Sequence, residues 1–182
     1  MKHYRWIVVV ILITISSLLV TYLLVNFLFF KKYDRVPAPL AQTGDASVVL
    51  PTFKVAKVID GDTLKLSDGR LVRYIGIDAP ETVDPARPVQ CFGKEASDKN
   101  RALVEGKRVT LVKDTSETDQ YGRLLRYVYV GGTFINDLLV RSGFAKADNF
   151  PPDEKFKGQL KAAQLEAKTA TRGLWAPNAC KN

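Results

Sequence analysis

Between Val58 and Glu81 the chain reads VIDGDTLKLSDGRLVRYIGIDAPE, a run dense in acidic residues, of which Asp62, Asp78 and Glu81 stand around Arg73. Asp62 lies in the tight Asp60-Gly61-Asp62 turn, and Asp78 ends the apolar run Tyr74-Ile75-Gly76-Ile77. Arg73 stands between them and Glu81 follows Pro80. Carboxylates held close together repel and resist desolvation unless a cation sits between them. A guanidinium stays charged and offers paired donors that match two phosphate oxygens. We read the set as half of a metal-assisted phosphodiester cleavage site, with Asp119-Gln120-Tyr121-Gly122-Arg123 as the other half.

Each residue also has a plainer reading. Asp-Gly is turn chemistry first, and a solvated hairpin needs nothing more. The turn lacks the further ligands and terminal glutamate of an EF-hand loop. Strands on either side of it leave from and return to one end of the predicted sheet, so Asp62 and Asp78 can meet there. A metal held by them must be held by oxygen. The chain has one histidine, His3, two cysteines and no CxxC, which removes zinc and leaves calcium, magnesium or manganese. Glu81 is either an exposed loop residue or the group that accepts a proton from the attacking water. Arg73 and Arg123 are suited to the charge that builds on phosphorus, though Arg73 could simply bridge to Asp78 or Glu81. Tyr121 would pack on a nucleotide or in the core.

The elements that must position these groups are short strands. Residues 53–58, 63–66, 71–77, 108–112 and 124–130 read as five strands, with Ser67-Asp68-Gly69-Arg70 as an Asp-Gly hairpin turn. Helical spacing is expected over 95–105, from Ile135 toward Gly143, and over 153–171, where Phe156, Leu160, Ala163, Ala167 and Ala170 form one stripe. Residues 78–90 hold Pro80, Pro85 and Pro88 and read as loop. The order predicts an α+β fold, a five-stranded OB-type β-barrel with about three α-helices.

Ahead of it, Trp6 to Phe30 contains no charged residue. As a helix it would be roughly 37 Å long, enough to cross a bilayer. Its length, and the lysines directly behind it in place of a small-residue cleavage site, favour an uncleaved single-pass anchor over a signal peptide. The expected organisation is a membrane anchor over 1–35 (transmembrane helix about 6–30), a Pro/Ala-rich linker over 36–51 and a folded domain over 52–182. Lys2 and Arg5 rival Lys31, Lys32 and Arg35, so charge does not fix the orientation. The formal charge of the chain is +8. A basic excess suits a polyanion partner and equally suits simple solubility. Cys91 and Cys180 flank the domain behind an export-like segment, and a disulfide between them is expected.

Taken in order, VIDGDTLKL, RYIGIDAPE, DQYGR and INDLLVRSGFAK resemble the staphylococcal nuclease-like (thermonuclease) domain, over about Phe53 to Trp175. The resemblance implies an OB-type barrel with three helices and a calcium-dependent nuclease that cleaves DNA and RNA with little sequence preference, leaving 3′-phosphates. It implies that Asp62 and Asp78 ligate Ca2+ with the backbone carbonyl of Ala79, and that Glu81 acts on the attacking water. Arg73 and Arg123 would hold the scissile phosphate, and Tyr121 would contact a terminal phosphate. Ala79 stands where threonine is frequent and Gln120 where the best-known member has lysine. Residues 148–152 lack that member's pocket tyrosines. The reading is a membrane-tethered, monomeric nuclease facing away from the cytoplasm, where free calcium is plentiful. The alternative is a non-catalytic barrel that binds nucleic acid or protein.

Overall fold

The computed structural model describes residues 50–82 and 88–180. The expected anchor and most of the linker lie outside the described residues, as does the middle of the proline-rich loop. The described residues fall within one unit, Val49–Asn182. Among them, no helix is long and apolar enough to cross a membrane.

Strands β1 (Thr52–Val58), β2 (Thr63–Leu66) and β3 (Leu71–Tyr74) form an antiparallel meander. After a two-residue strand β4 (Ile77–Asp78) and helix α1 (Gly93–Val104), β5 (Arg108–Val112) pairs antiparallel with β1. Strand β6 (Leu124–Val130) pairs antiparallel with β5 and then parallel with β3, matching Val72 with Leu124 and Tyr74 with Arg126. That last ladder closes β1, β2, β3, β5 and β6 into a five-stranded barrel, and closure leaves these strands no free edge. Short β7 (Thr133–Phe134) leads into α2 (Ile135–Arg141). Strand β8 (Lys146–Ala147) pairs with β4, and α3 (Lys157–Thr169) precedes a 3₁₀ turn over Gly173–Trp175.

Alternation, interrupted in β1 between Val55 and Val58, decides which side chains enter the barrel. Val55, Val58, Leu64, Leu66, Val72, Tyr74, Val109 and Val128 are buried there, and Leu139, Val140, Leu160 and Ala163 bring α2 and α3 onto the same core. Each such aliphatic side chain contributes about 1.5–3 kcal/mol on burial. Asn136, fully buried at the start of α2, accepts from Val128 N–H (2.9 Å) and donates to Ile75 O (2.8 Å). It thereby fixes β6 to the turn between β3 and β4.

The expected third strand, Leu71–Ile77, is broken. The chain turns at Ile75-Gly76, where Gly76 has φ +77°, and resumes as β4. A Cβ at Gly76 would also meet Leu160 Cδ1 at 2.5 Å and Asn149 Oδ1 at 2.9 Å. Apolar residues on both sides hid this turn, although the glycine marks it. The last helix starts at Lys157, four residues later than expected, because Pro151, Pro152 and the turn through Asp153 precede it.

Candidate active site

Asp62 reaches its place through the turn that precedes β2. Asp60 Oδ1 accepts Asp62 N–H at 3.1 Å, closing an Asx turn, and Asn100 on α1 holds Asp60 O at 3.0 Å. Gly61 lies so close to the far side of the site that a Cβ would stand 2.4 Å from Ala79 Cβ. This approach lets the Ala79 N–H donate to Asp62 Oδ2 at 2.7 Å, while Thr63 Oγ1 bonds Asp62 Oδ1 at 3.1 Å. Asp62 is buried, 4% exposed. Burial is the largest influence on its carboxyl and pushes it up to about 7. Arg73 and the Ala79 N–H oppose the rise, whereas Asp60 and Asp78 reinforce it.

Arg73 sits opposite Thr63 in the β2–β3 register. Its Nη1 lies 2.7 Å from Asp62 Oδ2 and donates to Ile77 O at 3.0 Å; its Nη2 donates to Asp78 Oδ1 at 3.2 Å. The two carboxylates and the arginine therefore do meet, and the bridge runs to both aspartates. Asp78 is on the exposed side of the group.

Glu81 lies beyond Pro80, at the mouth of the loop. Its backbone is gripped twice by Gln90: Glu81 N–H donates to Gln90 Oε1 at 3.1 Å, and Gln90 N–H donates to Glu81 O at 2.9 Å. Glu81 Oε1 also accepts the Thr82 N–H at 2.8 Å. Cys91, next in the chain, is bonded to Cys180, which ties this loop base to the C-terminal segment.

The second half of the site is an Asx-stabilised turn. Asp119 Oδ1 accepts the backbone N–H groups of Tyr121 (2.9 Å) and Arg123 (3.0 Å), and Asp119 Oδ2 takes Arg123 Nε at 2.6 Å. These donors hold the Asp119 carboxyl below its usual value against the desolvation that raises it. Arg123 rests against the Tyr121 ring, 5.4 Å from its centroid. With its Nε on Asp119, the two Nη groups remain free for an anion among the described residues. Tyr121 is 75% exposed, so the core alternative for it is overturned. A cavity of about 650 Å³ is lined by Arg73, Gly76, Tyr121, Arg123, Asp148 and Phe150, among others, and joins the two halves.

Segment 148–152, which the family resemblance set against the pocket, does line the cleft through Asp148 and Phe150, to which no role was assigned; Gln90 was not singled out at all. Asp148 enters because β8 pairs with β4; burial raises its carboxyl, Asp78 adds to the rise and Arg73 opposes it. Two-residue strands leave no periodicity, so only the family resemblance pointed to this segment. Phe150 lines the cavity and is 70% exposed, a large apolar ring in water beside two prolines. Gln90 carried no signal, since its role is contact with a backbone nine residues away.

The donor set suits a hard cation. It offers one buried carboxylate whose charge is poorly solvated, one exposed carboxylate and the chain around Ala79, with no thiol or imidazole. Among the described residues, no group of three or more His, Cys, Asp or Glu forms a ready cation cage, so water must complete any shell.

A closed OB-type barrel with an aspartate pair, two arginines and an open cleft defines a phosphodiester-directed protein class. The family model described as staphylococcal nuclease homologue matches residues 71–177. The chain is 38% identical over 141 residues to a thermonuclease of Staphylococcus hyicus, covering 76% of this chain and 83% of that protein. It is 40% identical over 127 residues to a thermonuclease of Staphylococcus intermedius, covering 68% and 76%. Against the SPbeta prophage-derived endonuclease YokF of Bacillus subtilis it is 39% identical over 127 residues, covering 67% of this chain and 43% of that protein. The chain belongs to the staphylococcal nuclease family.

Proposed function

We propose that this nuclease hydrolyses DNA and RNA within the chain, depends on calcium, and leaves 3′-phosphate ends. The observation that carries the reading is the meeting of Asp62, Asp78 and Arg73 at one edge of the cleft that Arg123 and Tyr121 line. Asp62, Asp78 and the Ala79 carbonyl would hold the ion, which supplies positive charge beside the phosphate and acidifies water.

The protein's own part follows from charge. Arg73 and the Nη groups of Arg123 bind the non-bridging phosphate oxygens, and their interaction strengthens as charge accumulates on them. Glu81, held by Gln90, accepts the proton of the water that attacks phosphorus. The P–O5′ bond breaks, the 5′-oxygen leaves as a hydroxyl with a proton from solvent, and the phosphate stays on the 3′-oxygen. Tyr121 faces the cleft from the Arg123 side and contacts the terminal phosphate.

The same reading places the enzyme on the outer side of a membrane, tethered through Trp6–Phe30. The Cys91–Cys180 bond supports an oxidising surrounding, since such bonds are rare in reducing cytosol.

The full chain, purified in detergent, is incubated with plasmid DNA and with RNA, with calcium or with a chelator. Cleavage with calcium alone, and oligonucleotide products whose mass shows a 3′-phosphate, is the expected result. Folded protein that binds DNA without cutting it would overturn the reading and favour the non-catalytic binding barrel.

A further inference from the structure

The outer face of β1, β2 and β5 carries a row of cations with no acidic partner among the described residues. In the β1–β2 register Lys57 stands directly opposite Lys65, and in the β1–β5 register Lys54 stands opposite Arg108. All four are exposed. Like charges facing each other across a ladder destabilise a sheet. Here two such pairs sit side by side on the same strand.

The backbone makes this arrangement. The β1–β2 register shifts between Val55 and Lys57, an irregularity of β-bulge type. An extra residue in one strand reverses the alternation beyond it. Val55 and Val58, three apart, are consequently both fully buried, and Lys54 and Lys57 both face out. Without the irregularity, one lysine of the two would point into the barrel.

Neighbouring acids do not neutralise the row. Asp68, on the β2–β3 turn, is engaged by Arg70 at 2.6 Å. Glu105, after α1, takes the Val58 N–H at 2.7 Å and faces Arg101 at 3.7 Å. Among the described residues Arg108 bonds only Thr52, through Oγ1 (2.8 Å) and its carbonyl (3.2 Å). Lys54, Lys57 and Lys65 make no ion pair among the described residues.

The row also begins beside the active site. Thr63 pairs with Arg73, and Lys65 lies two residues further along β2, on the same face of the sheet. Two residues of strand are about 7 Å, and Lys57 is one strand further, about 5 Å. A single strand of nucleic acid with one phosphate on Arg73 can therefore continue along this face.

We infer that Lys57 and Lys65, with Lys54 and Arg108 beyond them, form a track for the phosphodiester backbone of the substrate on one side of the scissile phosphate. The occupant is nucleic acid because the row is an extension of the phosphate-binding arginine and the chain is a nuclease; the inference rests on that reading. Lysine contacts of this kind are independent of base sequence, and each phosphate neutralised releases counterions. The track thus raises affinity for long strands and does nothing for strands too short to leave the cleft.

The test uses the full chain and a Lys57→Gln/Lys65→Gln variant, with dye-labelled single-stranded DNA of thirty and of two nucleotides. Binding is followed by anisotropy in chelator across a range of salt, and cleavage is followed separately with calcium. The slope of log affinity against log salt for the 30-mer should fall by about 1.4, near 0.7 for each lysine removed. Affinity for the dinucleotide, whose single phosphate occupies the cleft and leaves none for the lysines, should be unchanged, and the variant should show a raised KM on long DNA with kcat intact. An unchanged 30-mer slope overturns the track. Equal losses on both lengths overturn it too, since the lysines then act through the cleft. Loss of binding to poly-glutamate with the 30-mer unaffected would assign the face to an acidic protein instead. Because binding is read without metal, wild type that binds but never cleaves would remove the proposed reaction and leave the track standing.

Discussion

Removing the Cys91–Cys180 bond, by changing both cysteines to alanine, should cost the folded unit about 4.6 kcal/mol. The bond closes a loop with a sequence separation of 89. In the chain-entropy treatment a loop of that size limits the unfolded ensemble by about 15.5 cal/mol/K, which at 25 °C is about 4.6 kcal/mol. For a unit of this size, 1 kcal/mol moves the melting temperature by roughly 3–5 °C, so the drop should be about 15–20 °C. The argument places the effect in the unfolded state, and this gives it a second signature. The released chain expands, so the urea m-value of the variant should rise. Urea titration and thermal unfolding by circular dichroism, wild type against variant, measure both. Alkylation without reductant, followed by intact mass, shows that the wild type carries the bond. An oxidised wild type that exceeds the variant by less than about 1 kcal/mol, or an m-value that does not change, would refute the loop-entropy account.

Three further outcomes are expected. Asp62→Ala should weaken calcium binding in a calorimetric titration, whereas Glu81→Gln and Arg123→Ala should leave it intact and slow single-turnover cleavage about 10²–10³-fold; parallel losses of stability without loss of rate would point to a structural salt-bridge cluster. Gln90→Ala should lower kcat about 10–100-fold with KM unchanged, and Gln90→Glu, which keeps the acceptor for Glu81 N–H, should restore most of it; a glutamate variant no better than alanine would show that the grip on Glu81 does not matter. In metal-free protein the Asp62 carboxyl stands above its unfolded value of 3.8, near 7, so ionising it opposes folding. Wild-type stability relative to Asp62→Asn should therefore fall as pH rises from about 4 to about 7 and level off above, by urea titration; a difference that grows with pH would mean that Arg73 and the Ala79 N–H outweigh burial.

Much of this site could be read from the chain because its members sit in short-range patterns. Asp62, Arg73 and Asp78 occupy a turn and two strand positions within seventeen residues; hairpin pairing brings Asp62 and Arg73 together, and the turn at Gly76 carries Asp78 back to them. The five barrel strands were visible because each is a short apolar-rich run between turn residues, although β1 departs from period 2 between Val55 and Val58. What failed was long-range or very short. Strands β4 and β8 have two residues each, too few for periodicity, and their pairing is what delivers Asp148 and Phe150. The break at Gly76 was masked by isoleucines that are buried on both sides of it. The lysine row depends on a register shift, and no composition count distinguishes an outward Lys57 from an inward one.

The parallel ladder between β3 and β6 has a consequence for when activity can exist. Arg73 lies on β3 and Arg123 immediately precedes β6, so the two phosphate-binding arginines share a cleft only once that ladder has zipped. The ladder joins segments about fifty residues apart, and such remote pairing comes late, after loop closure has been met by local contacts. A chain still emerging, or stalled before residue 124, holds its aspartates and one arginine with no partner wall across from them. The fold thereby acts as its own maturation step: until β6, the last strand of the barrel, pairs with β3, the two arginines do not face one another across the cleft.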